Sequence, residues 1–482
     1  MPRSRPLSFV SPKRTKIICT IGPATNRLET LVQLGEAGMD VARLNFSHGT
    51  HADHATVYRR LQAAGRKLGK PFGVLHDLQG PKIRVGSLPK EGVRLTDGTQ
   101  AIFSTAAKSL GEDIPVTLAS LHTDAKVGEH FLLDDGLLEV EVTRIEGRRI
   151  HTEVIHGGVL LSHKGLNLPG TNLHIPALSE KDIDDALFGV KMKADFMALS
   201  FVRSPEDVQK LRRLLDRQGP DGRAIRIVAK IEKREAIERF EEILPLCDAI
   251  MIARGDLGIE TPASHVPVVQ KQLIAECRSA GIPVIVATQM LDSMQRNPRP
   301  TRAEVSDVAN AVADHADAVM LSGETASGAF PLEAVRMMSE TIRVTENSSF
   351  DNLNPIDMTA PRDLPAVIGA TVRVLVEALH RPPVVIATAT GRTAREIAAF
   401  RPETPIYAYT SDAHVARTLR LVWGVEPRVL SHKKMPEMMI QSAIAELRRL
   451  KKIEQGQQVI AITGSPDGTP GSANKIEIIA II

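Results

Sequence analysis

Polar residues able to handle an anionic substrate cluster at six places in the chain. Arg43, Asn45, Ser47 and His48 form one group, and Asp77, Lys82 and Arg84 a second. Lys230-Ile-Glu232, Arg254-Gly255-Asp256, Thr288-Gln289 and Ser322-Gly-Glu324 complete the set. Arg43 is a fixed cation with a planar fork suited to phosphate. Glu232 and Asp256 could share one hard divalent cation, because Mg²⁺ favours one or two carboxylates plus substrate oxygens and water. Ion pairing with Arg234 or Arg254 is the alternative, though both carboxylates fall at strand ends. Lys230 alternates with Glu232 along an extended chain, so both point to one side. Its ammonium could stabilise charge on a transferring phosphoryl group, form a Schiff base, or be structural. Gly255 and Asp256 could open a helical turn whose N–H groups cradle an anion. Thr288 could orient a water or proton donor, or merely cap backbone, and His48 reads more readily as an ordinary loop histidine.

These residues need a frame. From Thr15 to about Thr345 a short β-branched run repeatedly ends in polar or Gly-containing residues, and a helical stretch follows. The strands expected are Lys16–Ile21, Asp40–Asn45, Phe72–Asp77, Phe196–Phe201, Ile225–Ile231, Ala249–Ala253, Pro283–Thr288 and Ala318–Ser322. Continuous apolar runs such as Val284-Ile-Val-Ala287 suit parallel strands buried on both faces. Eight strand–helix units make a (β/α)₈ TIM barrel, in which polar residues just past the strand ends line one mouth. Between Asp77 and Phe196 the rhythm changes to short alternating strands with Gly-rich joints, which reads as an inserted all-β domain over 82–176, placed as a lid. After about Phe350 a Pro-containing joint leads to an open α/β sheet. The expected division is a tail over 1–14, a barrel over 15–81 and 177–348, the insertion over 82–176, and a C-terminal domain over 349–482.

Composition excludes several classes. The 482 residues carry 60 Lys and Arg against 57 Asp and Glu, too even a balance to argue for nucleic acid or a membrane surface. One tryptophan gives no base-stacking platform. No apolar run approaches the roughly 18–20 residues of a membrane span. Cys19, Cys247 and Cys277 lie far apart, as expected of reduced thiols in a cytoplasmic protein. The basic start lacks an apolar segment after it, which argues against a signal peptide.

Thr15-Lys-Ile-Ile-Cys-Thr-Ile-Gly-Pro-Ala-Thr25, Arg43-Leu-Asn-Phe-Ser-His-Gly49, Gln79-Gly-Pro-Lys-Ile-Arg84 and Lys230-Ile-Glu-Lys233 closely resemble the pyruvate kinase family. So do Met251-Ile-Ala-Arg-Gly-Asp-Leu-Gly258, Ala287-Thr-Gln-Met-Leu291 and Met320-Leu-Ser-Gly-Glu-Thr-Ala-Ser-Gly328, in the same order over essentially the whole chain. The resemblance implies a catalytic barrel, a small β-barrel lid, a C-terminal regulatory domain and a homotetramer. The implied reaction moves the phosphoryl group of phosphoenolpyruvate to ADP, giving pyruvate and ATP in glycolysis. By resemblance Glu232 and Asp256 hold Mg²⁺, with Mn²⁺ as an alternative. Lys230 stabilises the transition state, and Arg43, Gly255, Asp256 and Thr288 contact phosphoenolpyruvate. Ser322 and Glu324 support the proton-donor region. Arg84 and Lys181 resemble the nucleotide-phosphate cations, with Asn45 and His48 nearby.

Two further features follow from the resemblance. Many members need K⁺, bound by residues matching Asn45, Ser47 and Asp77, but a fourth position with a hydroxyl is Leu78 here. Lys82 stands where the K⁺-dependent pattern carries Glu, so a tethered ammonium is expected to remove the K⁺ requirement. In the C-terminal segment Thr388, Thr390, Gly391, Arg392 and Thr393, with Gly471 in a later Gly/Pro loop, resemble the family's sugar-phosphate effector site; ordinary turns are the alternative. Against an aldolase or a phosphoenolpyruvate mutase stand the nucleotide cations and the lid. Against a degenerate, non-catalytic barrel stand the intact Lys230, Glu232, Asp256 and Thr288.

Overall fold

The computed structural model describes residues 13–106, 113–171, 175–353, 364–430, 436–464 and 473–482. Eight parallel strands close into a ring: Lys16–Thr20, Val41–Asn45, Gly73–Asp77, Phe196–Leu199, Arg226–Ile231, Ala249–Ala253, Val284–Ala287 and Ala318–Leu321. They are numbered first to eighth below, and each pairs with its neighbours in chain order. The alternation of each strand sorts its side chains. Ile18, Val41, Leu75, Phe196, Ala198, Val228, Met251, Ile285 and Met320 fill the inside. Ile17, Cys19, Ala42, Leu44, Val74, Ile227, Ile231 and Val286 face the surrounding helices.

One acidic device repeats on the barrel floor. Asp40, Asp195, Asp248 and Asp317 stand immediately before the second, fourth, sixth and eighth strands. Each carboxylate accepts the backbone N–H of the preceding strand, from Ile17, Val74, Ile227 and Val284 at 2.9–3.1 Å. The remaining oxygen of each takes a cation, so an edge group that a buried strand end would orphan is satisfied.

Helices begin where capping chemistry places them. His51–Leu68 starts where it does because Thr50 and Asp53 form a reciprocal capping box. The same device, Ser179 with Asp182, opens the helix Glu180–Lys191.

The inserted segment has its own apolar core around Phe103, Phe131, Val140, Val142 and Ile150. Its strands form a six-stranded sheet and a two-stranded ribbon. Bridges from Arg84 to Gly165 and from Val85 to Val116 tie the two edges of the larger sheet together. Beyond the barrel, five strands order as Val425–Val429, Ile406–Thr410, Val384–Ala387, Gln458–Gly464 and Ala473–Ala480, the last antiparallel.

Two sequence expectations need correction. The fourth strand stops at Leu199 because Phe201 turns to a left-handed φ of 54°. Residues 1–12 of the expected tail lie outside the described residues, but Lys13 and Arg14 are docked. Arg14 bonds the Glu346 carbonyl at 2.6 Å and Asp351 at 3.1 Å, and Lys13 pairs with Asp40. No helix among the described residues is long and apolar enough to cross a membrane.

Candidate active site

The inward-facing parity that fills the barrel with apolar side chains changes chemistry at its topmost layer. There it presents Thr20, Arg43, Asp77, Ser200 and Lys230, one each from the ends of the first five strands. Lys230 is the hub. Its ammonium lies 2.8 Å from Glu232 Oε1, 2.8 Å from Ser200 Oγ and 3.4 Å from Asp77 Oδ1. Ser200 in turn donates to the Leu78 carbonyl at 2.7 Å. Arg43 donates through Nε to Asp77 at 2.7 Å and through Nη1 to Thr20 Oγ1 at 3.0 Å. Its Nη2 has no protein acceptor among the described residues and remains for a ligand.

The electrostatics follow from burial and neighbours. Burial disfavours charge on Lys230, but the carboxylates of Asp77 and Glu232 outweigh it and hold the amine above the ordinary lysine range. A lysine so held favours its charged form, which suits charge stabilisation better than a Schiff base. Burial likewise disfavours charge on Asp77, yet Lys230 and Arg43 hold it below the usual carboxylate range. Glu232 is fully buried, and burial pushes its carboxyl upward, with the nearby Asp256 adding to the push and Lys230 opposing it. Its Oε2 accepts the Phe201 N–H at 2.7 Å. Asp256 is half-buried and has no hydrogen-bond or ion-pair partner among the described residues. Two neighbouring carboxylates, one desolvated and one unpartnered, fit a hard divalent cation. Arg234 pairs with Glu238, and Arg254 with Asp307 at 2.6 Å, so neither arginine neutralises Glu232 or Asp256.

Thr288 sits in the left-handed region at φ 71°, where a β-branched residue is strained by about 1–3 kcal/mol. Arg254 holds it there by donating to its carbonyl at 2.9 Å. The Thr288 hydroxyl accepts the Gly255 N–H at 2.7 Å. That N–H, expected to face an anion, is therefore occupied. Ser322 and Glu324 act together: buried Glu324 accepts the N–H groups of Ser322 at 2.7 Å and Leu291 at 3.1 Å, joining the seventh and eighth strand ends.

Other expected residues are not brought to this hub. Asn45 Oδ1 accepts the Ser47 N–H at 3.1 Å, a local turn. The His48 carbonyl lies 3.0 Å from His54 Nε2. The Leu78 side chain is buried among the residues between barrel and helices, although its carbonyl accepts from Ser200. Lys82 lies at the lid joint, in a cavity lined also by Asn167, Phe201 and Lys233. Arg84 donates to the His163 carbonyl at 2.8 Å. Lys181 donates to the Phe46 carbonyl at 2.7 Å and to Asp185 at 2.6 Å. Among the described residues, three acidic or imidazole ligand atoms converge only at His51, Asp184 and Asp185, where Asp185 is already bound by His51 and Lys181. The C-terminal loop places Thr388 Oγ1 on the Gly391 N–H at 3.0 Å, ahead of the helix Arg392–Ala399, while Arg392 pairs with Glu396. Gly471 lies outside the described residues.

Reading the strand ends missed Thr20, Ser200 and the Phe201 N–H. Thr20 and Ser200 close the first and fourth strands, and the same inward parity marks them in the sequence. The Phe201 contact depends on a backbone turn that no residue type announces.

Comparison with known proteins supplies the context. Residues 12–335 match the family model for the pyruvate kinase barrel domain, and residues 366–479 the model for the pyruvate kinase alpha/beta domain. The pyruvate kinase of Geobacillus stearothermophilus is 43% identical over 97% of this chain and 80% of its own length. That of Mycobacterium intracellulare is 44% identical over 97% of this chain and 98% of its own. A crystal structure of a pyruvate kinase from Cryptosporidium parvum superposes with a TM-score of 0.90 at 36% identity, covering 98% of this chain and 96% of that one.

Proposed function

The chain belongs to the pyruvate kinase family, and from that premise we propose that its barrel mouth moves the phosphoryl group of phosphoenolpyruvate to ADP around one Mg²⁺ held by Glu232 and Asp256, without K⁺. The observation that carries the reading is Lys230, fixed among Asp77, Ser200 and Glu232 beside the unspent Nη2 of Arg43.

The chain's own residues divide the work. Arg43, anchored through Nε, presents Nη2 to the phosphoryl oxygens of phosphoenolpyruvate. Lys230, held charged and oriented, meets the charge that spreads over the PO₃ group as it leaves. When bound, the divalent ion supplies Lewis-acid neutralisation of phosphoryl and enolate oxygens; Mn²⁺ offers the same chemistry. Gly255, Asp256 and Thr288 line the substrate's carboxylate side, and the Thr288 hydroxyl, which donates to the Ala287 carbonyl at 2.6 Å and accepts the Gly255 N–H, is left to accept from the water or group that protonates the enolate. Glu324 and Ser322 keep that side rigid. Arg84 and Lys181, with Asn45 and His48 near, receive the nucleotide phosphates once the lid closes. The enolate ketonises after protonation, so the protein need only position and neutralise.

Potassium independence rests on charge. Asp77, the carboxylate expected to hold K⁺, is already neutralised by Arg43 and Lys230. Lys82, at the joint between barrel and insertion, carries an ammonium with no ion-pair partner among the described residues. A phosphorylated sugar or nucleotide is the effector expected at Thr388, Thr390, Gly391, Arg392 and Thr393. A homotetramer in the cytoplasm is the expected working form.

Initial rates with phosphoenolpyruvate and ADP test this reading. Lys230→Met should lose about 10³-fold or more in kcat while calorimetry still detects phosphoenolpyruvate binding. Replacing K⁺ by tetramethylammonium should leave the parent rate unchanged and should slow Lys82→Glu. A parent enzyme that needs K⁺ would overturn the cation assignment alone, leaving the transfer reading intact.

A further inference from the structure

Lys181 is already committed to protein partners. Its ammonium donates to Asp185 Oδ2 at 2.6 Å and to the Phe46 carbonyl at 2.7 Å, so one proton of three is left for a ligand. Lys181 and Asp185 stand four residues apart on the helix Glu180–Lys191, but they are not an ordinary surface pair. The Asp185 side chain is only 3% exposed, against 49% for Lys181. A buried carboxylate with one cation for partner would compete strongly with an incoming phosphate for that cation.

Asp185 has a second partner. His51 Nε2 lies 2.7 Å from its Oδ1, and because a carboxylate can only accept, the ring donates. No other donor reaches Asp185 among the described residues. The ring is held from two further sides. It stacks on Phe188 with centroids 4.2 Å apart and planes 9° off parallel, and it meets Phe46 edge-on at 6.1 Å. His51 and Lys181 also occupy the first turns of their helices, each fixed by a capping box, Thr50 with Asp53 and Ser179 with Asp182.

We propose that His51 is a positioning residue for nucleotide binding: by drawing one oxygen of Asp185, it loosens that carboxylate's hold on Lys181 and leaves the ammonium free to meet the phosphates of ADP. The inference rests on the reading of Lys181 as a nucleotide cation. His51 acts through Asp185 and touches no substrate. Without its N–H, Asp185 Oδ1 is a buried acceptor with no donor, and Lys181 is the cation already placed to be drawn onto both oxygens.

Initial rates of the full-length enzyme, taken against ADP and against phosphoenolpyruvate, test this. His51→Phe keeps a ring to stack on Phe188 and removes the donor, and His51→Leu removes the donor without a ring. Each should raise the KM for ADP about fivefold or more, part of the worth of one hydrogen bond to a charged group, and leave the KM for phosphoenolpyruvate unchanged. His51→Gln, which can return an N–H to the carboxylate, should recover most of the loss. In an Asp185→Asn background, where no charge competes for Lys181, His51→Phe should shift the KM for ADP by less than about twofold. An unchanged KM for ADP in His51→Phe and His51→Leu, or an equal rise in both KM values, overturns the proposal. So does a rise that persists in full in the Asp185→Asn background, which would make His51 structural or a nucleotide contact in its own right. Lys181→Met separates this inference from its premise. A KM for ADP unchanged in Lys181→Met overturns both, whereas a KM raised there but not in His51→Phe overturns the role of His51 alone.

Discussion

Lys230 has three neighbours, and they differ in kind. Asp77 and Glu232 supply charge, whereas Ser200 supplies direction: it accepts from the ammonium and donates its own proton to Leu78. Removing that hydroxyl leaves Lys230 charged but freer to rotate between two carboxylates. Ser200→Ala is therefore expected to lower kcat about 10-fold with little change in the KM for phosphoenolpyruvate, because orientation matters most where charge develops. Steady-state kinetics separates the two constants, and an equal rise in KM would mark Ser200 as a binding residue instead. Arg43 was legible from its type alone. Ser200 was legible only once strand parity was applied to the fourth strand, and Phe201 was not legible, since its N–H reaches Glu232 through a left-handed turn.

At the level of elements, the mouth is set by where strands stop. Gly80 illustrates how tightly. It has φ 71°, and an added Cβ would meet Ser200 Cβ at 2.9 Å and Phe201 Cδ2 at 2.8 Å. Its N–H donates to Asp182 of the capping box that opens the next barrel helix, at 2.9 Å. One glycine thus joins the end of the third strand, the end of the fourth and the helix between them. Gly80→Ala combines left-handed strain with backbone-adjacent crowding and should cost about 1–3 kcal/mol of stability, read by denaturant unfolding, together with activity. Unchanged stability would show that the joint relaxes freely. The barrel itself was readable from β-branched runs because eight buried parallel strands leave a repeated apolar signature. The insertion was readable as a break in that rhythm. Closure of its sheet was not, because it rests on two isolated bridges at Arg84 and Val85.

Across the whole molecule, the barrel's floor carboxylates become the socket of the C-terminal domain. Leu421 enters the barrel interior from below. Arg401 grips Asp317 at 2.9 Å, and Arg417 grips Asp195 at 2.9 Å. His414 joins that second contact, with Nδ1 3.1 Å from Asp195 and Nε2 3.0 Å from the Ala224 carbonyl. Both ring nitrogens thus face acceptors, which the doubly protonated ring satisfies. Burial lowers its proton affinity, but the Asp195 bond outweighs this and the net shift is upward. A raised folded value means that the stabilisation is complete below the unfolded value of about 6.5 and is lost as pH rises through the folded one. The melting-temperature gap between parent and His414→Ala should therefore be widest near pH 6 and shrink toward pH 8; a gap independent of pH would rule out the charged clamp. The floor fixes the barrel, the barrel fixes its mouth, and at the mouth Glu232 and Asp256 are the proposed ligands of one divalent ion. Manganese, a paramagnetic stand-in for magnesium, tests that directly by electron paramagnetic titration in the presence of phosphoenolpyruvate. One ion per chain is expected at this mouth, with binding weakened about tenfold or more in both Glu232→Gln and Asp256→Asn; full-strength binding in either variant would show that the two carboxylates do not share it.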